Sequence, residues 1–180
     1  MATNKCYVCA DLHLNHEKAV IFRGFRDLKE MNSTIINNWN NKVNKDDTVW
    51  VLGDVGFKGV EGLKLVKELK GNKKLILGNH DHLNLIQYFK YFSSVKAMAE
   101  RKGYLMTHIP VHQQEITGVH GRWKGNIHGH LHNRFHPDDW IYQCVSMENV
   151  DYTPILFDDV VERFNAATLS EAYRQGETNV

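Results

Sequence analysis

Apolar residues fall in short runs separated by stretches where they recur every three or four positions, and each run closes on a polar cluster. Cys6–Ala10 reads as a first strand. From Asp27 to Val43, the residues Leu28, Met31, Ile35, Trp39 and Val43 recur at helical spacing. Thr48–Leu52 reads as a second strand; Leu63, Val66 and Leu69 mark another helix with Gly71 as its stop; Lys73–Leu77 is a third strand. The order βαβαβ argues for parallel strands joined by right-handed crossovers. Beyond it, Phe92–Ala99, Tyr104–Thr107, Asn126–His128 and Ile141–Val145 are strand-like with little helix between them, which predicts a second, more antiparallel sheet. Asp158 or Asp159 caps a short helix carrying Val160, Val161 and Phe164. Residues 1–167 are read as a single domain and residues 168–180 as a polar, frayed tail. No repeat, low-complexity segment or linker interrupts the pattern.

Composition narrows the picture. The 180 residues are 42% apolar and 24% charged, with a net charge of +1, so no general field draws the chain to nucleic acid or an anionic membrane. Any attraction for phosphate must be local. No apolar run approaches the ~20 residues of a membrane span. The start, Met-Ala-Thr-Asn-Lys, leads straight into a strand without the shape of a signal peptide. Three cysteines, an odd number, point to a reducing compartment, with the cytoplasm as the expected location. Eleven histidines are present, and His108, His112, His120, His128, His130, His132 and His136 crowd into one stretch. Such crowding is either enrichment on a polar loop or a metal site.

The candidate chemistry lies at the strand ends. The first strand closes on Asp11-Leu12-His13, the second on Gly53-Asp54 and the third on Gly78-Asn79-His80-Asp81. Later strands close on Thr107-His108 and Gly129-His130-Leu131-His132. Ligands of α/β sheets bind outside the carboxyl ends of strands, so five strand ends can address one crevice. Residues two apart in extended chain point to one side, so Asp11 with His13, and His130 with His132, can each bite one metal. Carboxylate oxygen with imidazole nitrogen suits manganese, iron, zinc, nickel or cobalt rather than calcium. Glycine before Asp54, Asn79 and His130 lets the backbone turn tightly beside a ligand.

The series Asp11-x-His13, Gly53-Asp54, Gly78-Asn79-His80-Asp81, His108 and Gly129-His130-x-His132 resembles the calcineurin-like metallophosphoesterase superfamily. The surrounding text, Asp11 to His16 and Trp39 to Val51, looks like the small stand-alone bacterial and phage phosphoesterases. The resemblance runs from Asp11 to His132 and departs at Thr107, where many members carry glycine. It implies a four-layer α/β/β/α sandwich of two mixed β-sheets flanked by helices. It also implies two divalent transition-metal ions, with manganese expected first. Asp11, His13, Asp54 and His132 would hold one, and Asp54, Asn79, His108 and His130 the other, with Asp54 bridging. His80 would face the substrate as general acid. In the implied reaction a hydroxide held between two metals ~3.5–4 Å apart attacks phosphorus in line, and His80 protonates the departing alkoxide. Asp81 is placed to orient His80.

Some residues carry two readings. Arg23 and Arg26, with His16, follow the first metal loop and either hold a substrate phosphate, together with Asn79, or form a solvated helix edge. His112, His120 and Arg122 lie between metal blocks and read mainly as exposed loop. Cys6 and Cys9 are three apart on a strand and so point to opposite faces, as core thiols rather than half a zinc site. The expected substrate is a phosphomonoester or phosphodiester, small or nucleotide-like. A nuclease on longer DNA or RNA, which calls for a basic face, is the alternative. A binding scaffold that has lost turnover is a further one, disfavoured because the ligands and His80 are all present.

Overall fold

The apolar runs at Cys6–Cys9 (β1) and Thr48–Leu52 (β2) are buried almost throughout, as in a parallel sheet covered on both faces. They pair in parallel with each other and, through β2, with Asn72–Ile76 (β3), which pairs in parallel with Ser94–Lys96 (β4). Ile155–Leu156 (β9) closes the other edge, antiparallel to β1. The first sheet is therefore ordered β4-β3-β2-β1-β9. The second, β5-β6-β7-β8, consists of Ala99–Arg101 (β5), Tyr104–Met106 (β6), Gly125–His128 (β7) and Tyr142–Cys144 (β8). The computed structural model describes residues 4–174 other than 120, 135 and 137.

The helices are α1 (Glu17–Arg23), α2 (Leu28–Lys42), α3 (Val60–Lys64), the single turns α4 (Leu85–Tyr88) and α5 (Gln114–Thr117), and α6 (Phe157–Arg174). They flank the two mixed sheets in the α/β/β/α sandwich. One continuous apolar core joins the sheets, from Tyr7, Val8 and Val51 to Met106, Ile127 and Val145. No helix among the described residues is long and apolar enough to cross a membrane.

Three details differ from the expectation. The second sheet is mixed, as the resemblance implied, but less antiparallel than the strand pattern suggested: β6, β7 and β8 run parallel and only β5 is antiparallel. Among the described residues its two crossovers hold only one short helical turn, Gln114–Thr117, so the usual helical signature of a parallel connection is missing. The run Phe92–Ala99 is not one strand; β4 joins the first sheet and β5 the second. The C-terminal helix starts at Phe157 and continues past Thr168 to Arg174, where a frayed tail was expected.

α2 backs the first site loop. The Asp27 carboxylate accepts the Glu30 N–H, the Glu30 carboxylate accepts the Arg26 N–H, and Met31, Ile35 and Trp39 turn into the core. From the next position, Asn32 Oδ1 accepts the Asn15 N–H. Asp27→Ala should cost about 1 kcal/mol of unfolding free energy in a urea titration, and Asp27→Asn much less, as for a helix N-cap. An alanine variant as stable as wild type would mean that the cap contributes nothing.

Candidate metal centre

Six strand ends meet on one edge of the sandwich. Asp11 and His13 follow β1, Asp54 follows β2, and Asn79 and His80 follow β3. His108 follows β6, His130 and His132 follow β7, and Ser146 with Glu148 follows β8. Backbone hydrogen bonds lock these loops together: Asp11 N–H donates to Gly53 O, His13 N–H to Asp54 O, Gly129 N–H to His108 O and Ala10 N–H to Val145 O. Asp11, His13, Asp54, His130 and His132 all have positive φ, between 48° and 68°. Non-glycine residues held there cost of order 1–3 kcal/mol each, and such residues cluster at ligand clamps.

The glycines ahead of the ligands have a steric cause. A Cβ on Gly53, itself at φ 86°, would lie 2.5 Å from His108 Nδ1 and 2.6 Å from Gly78 Cα. One on Gly129 would lie 2.5 Å from Asp11 Oδ2.

Asp11 is fully buried and Asp54 is 2% exposed. Asp11 Oδ2 accepts from the Ser146 hydroxyl and His130 N–H, whereas Oδ1 has no hydrogen-bond partner among the described residues. His13 is buried with both ring nitrogens lacking a hydrogen-bond partner among the described residues, its Nε2 3.7 Å from Asp11 Oδ1 and 3.8 Å from Asp54 Oδ2. Asp11 Oδ1 also lies 3.8 Å from His132 Nε2. On the other side, His108 donates from Nδ1 to Leu52 O, which leaves Nε2 as an acceptor 2.8 Å from Asn79 Oδ1 and 3.5 Å from Asp54 Oδ2. His130 Nδ1 sits 2.9 Å from the same Asn79 oxygen. Buried polar atoms are ordinarily paired, so orphaned acceptors turned toward common points fit bound cations. Asp11, His13 and His132 form one metal-capable group, and Asp11, Asp54 and His108 another.

The local charges agree. Burial works against ionising Asp11, yet the facing imidazoles of His13, His108 and His132 and the Ser146 hydroxyl hold its carboxyl down at about 2. Burial lowers His13 and His130, which favours the neutral imidazole that a metal would require. His132 is raised: burial opposes its charge, but the Glu148 hydrogen bond and the Asp11 and Glu148 charges override it.

The sequence matches the calcineurin-like phosphoesterase family over residues 5–165. The chain belongs to that family. An uncharacterized protein of Methanocaldococcus jannaschii is 31% identical over 174 residues, covering 90% of this chain and 92% of its own. The gene 66 protein of Mycobacterium phage L5 is 30% identical over 156 residues, covering 69% and 75%. Among solved structures, a protein of unknown function from Aquifex aeolicus superposes with a TM-score of 0.69 at 25% identity, covering 89% of this chain and 99% of that one. Members of the family bind divalent metal ions and act on phosphoesters.

Two readings of the sequence need correction for this family member. Arg23 is not a phosphate-binding group: its side chain is fully buried, with Nε on Glu148, Nη1 on Leu12 O and Nη2 on Asp11 O. Asp81 does not orient His80. Its carboxylate accepts the backbone N–H groups of Asp54, Val55 and Gly78 and so ties the second site loop to the third. Burial pushes its pKa up.

Arg26 is the solvated helix edge, paired with Asp27. His112 is exposed and accepts the Gln114 N–H at a turn, Arg122 is exposed, and His120 lies outside the described residues. All three cysteines are free.

His16 borders a cleft of about 460 Å³ beside the metal centre, lined also by Asn15, Glu17, Lys18, Phe57, Lys58 and His80. Burial, reinforced by His13 and His80, drops His16 to about 4, so it presents a neutral imidazole to the cleft. Phe57, which the sequence did not flag, stacks on His16 with ring centroids 3.6 Å apart and an 8° tilt. Ser146 and Glu148 also went unflagged, although they follow a predicted strand just as the recognised ligands do.

Two outcomes test the centre. Gly53→Ala should weaken divalent-metal binding roughly 10–100-fold, the scale for disturbing a ligand's support; unchanged affinity would remove the steric argument. Protons compete for the imidazoles, and His132 holds its proton to higher pH than a free histidine. Metal affinity should therefore fall as pH is lowered from about 8 to about 6, with proton release on binding in calorimetry. A pH-independent affinity would exclude imidazole ligation.

Proposed function

We propose that this protein is a two-metal phosphohydrolase cleaving phosphomonoesters or phosphodiesters of small or nucleotide-type alcohols. The observation that supports it most is the position of Asp54 Oδ2, between His13 Nε2 at 3.8 Å and His108 Nε2 at 3.5 Å. A carboxylate oxygen there faces an imidazole of each position, and Asp11 is common to both metal-capable groups. Asp11, His13 and His132 complete the first position, and Asn79, His108 and His130 the second. Two divalent ions held there, manganese first among those the N/O donor set suits, would supply Lewis acidity and activate water as the nucleophile.

The chain's own groups do the rest. His80 is 46% exposed, its Nε2 4.0 Å from Asp54 Oδ2, and it lines the cleft rather than converging with the ligands. Its backbone N–H donates to Asp54 Oδ1, which fixes its place relative to the bridging carboxylate. In the protonated form it gives its proton to the departing alkoxide. That assigns the leaving group to the cleft, where His16 and Phe57 make a stacked wall. Asn79 Oδ1 is committed to the second position, and its amide nitrogen is the group it can offer to a phosphoryl oxygen. A reducing compartment, the cytoplasm, fits the free cysteines.

His80→Ala should keep both ions in elemental analysis yet lose rate by ~10²–10⁴-fold, less for nitrophenyl esters, whose leaving group needs little protonation. Loss of metal along with rate would make His80 a ligand.

With a net charge of +1, kcat/KM for a mononucleotide and a twenty-mer should respond similarly and weakly to salt, as for roughly one or two phosphate contacts. A steep salt slope with strong preference for the twenty-mer would make the protein a nuclease on long strands.

A further inference from the structure

Glu148 belongs to neither ligand group, yet it touches the centre at one point only. It lies in the 3₁₀ turn Met147–Val150 after β8. Its Oε1 accepts from His132 Nδ1 at 3.0 Å and from Arg23 Nε at 2.7 Å. With the His132 proton held at Nδ1, the Nε2 lone pair is aimed at the space beside Asp11 Oδ1, 3.8 Å away. The buried Arg23 side chain grips the same position from behind, donating to Asp11 O at 2.6 Å and Leu12 O at 3.0 Å. Asn149, next to Glu148, donates its Nδ2 to His132 O at 2.5 Å. Every contact of this group with the centre falls on Asp11 or His132, and none of the hydrogen bonds of Glu148, Arg23 or Asn149 reaches Asn79, His108 or His130.

We propose that Glu148, braced by Arg23, is a positioning residue that sets the affinity of the first metal position and leaves the second alone. The inference rests on the two-metal reading above. Two features distinguish it from simple support of the fold. One oxygen serves both partners, so the imidazole is aimed by the same atom that the guanidinium anchors. The contact of Glu148 itself also falls on His132, which belongs to the first group alone, whereas a general loss of packing would disturb both positions.

The test is manganese titration by calorimetry, with elemental analysis, on wild type, Glu148→Ala and Glu148→Gln. Wild type should take up two ions. Glu148→Ala should weaken one site 10–100-fold, the usual scale for losing a partner of a ligating histidine, and leave the other within about twofold. Glu148→Gln, which can still accept from His132, should lose less and serves also if the alanine variant fails to fold. The loosened site should remain when Asn79→Ala removes a ligand of the other. Equal weakening of both sites, or of neither, in the glutamine and alanine variants overturns the inference while the two-metal reading stands. Fewer than two ions in wild type overturns the two-metal reading and the inference with it.

Discussion

Asp11 and Asp54 are buried carboxylates with no lysine or arginine paired to them among the described residues. Removing a charge from water costs several kcal/mol even after relaxation, so such groups need a compensating partner. Here the neighbours are imidazoles, which burial keeps neutral at His13 and His130. Two buried carboxylates with neutral imidazoles at His13 and His130 make a site short of positive charge, and divalent cations are a partner whose chemistry matches. The rest of the edge is arranged around that need: the Ser146 hydroxyl on Asp11, the Leu52 carbonyl on His108 and the Glu148 carboxylate on His132.

The backbone shows the same requirement. Five candidate ligand residues occupy the left-handed region, and glycines stand where any side chain would strike one of them or its neighbour. These conformations oppose folding locally and are held by loop-to-loop hydrogen bonds and by the apolar core that fuses the two sheets. Asp81 illustrates the division of labour. It stands next to His80 in sequence, yet its carboxylate is spent on three backbone amides that hold the Asp54 and Gly78 loops together.

Much of this was legible in the sequence because strand ends are legible. Apolar runs fixed where β1, β2, β3, β6, β7 and β8 stop, and the polar types beyond them carried the chemistry. What stayed hidden depends on side-chain direction in three dimensions. A guanidinium at Arg23 reads as a phosphate ligand until its burial against Asp11 O and Glu148 is seen. Glu148 follows its strand as the ligands do, but a lone carboxylate in a turn has no pattern that ties it to His132 across the chain. The parallel order of β6, β7 and β8 escaped for a related reason, since their connections lack the helices that announce a crossover. Phe57 gives no signal at all before its ring is seen stacked on His16.

The central claim is that this edge holds two cations sharing Asp54. Anomalous diffraction from crystals grown with manganese tests it most directly. The account requires two peaks ~3.5–4 Å apart with the Asp54 carboxylate between them. One should lie on Asp11, His13 and His132, the other on Asn79, His108 and His130. A single peak, or two peaks with Asp54 bound to only one of them, would contradict it.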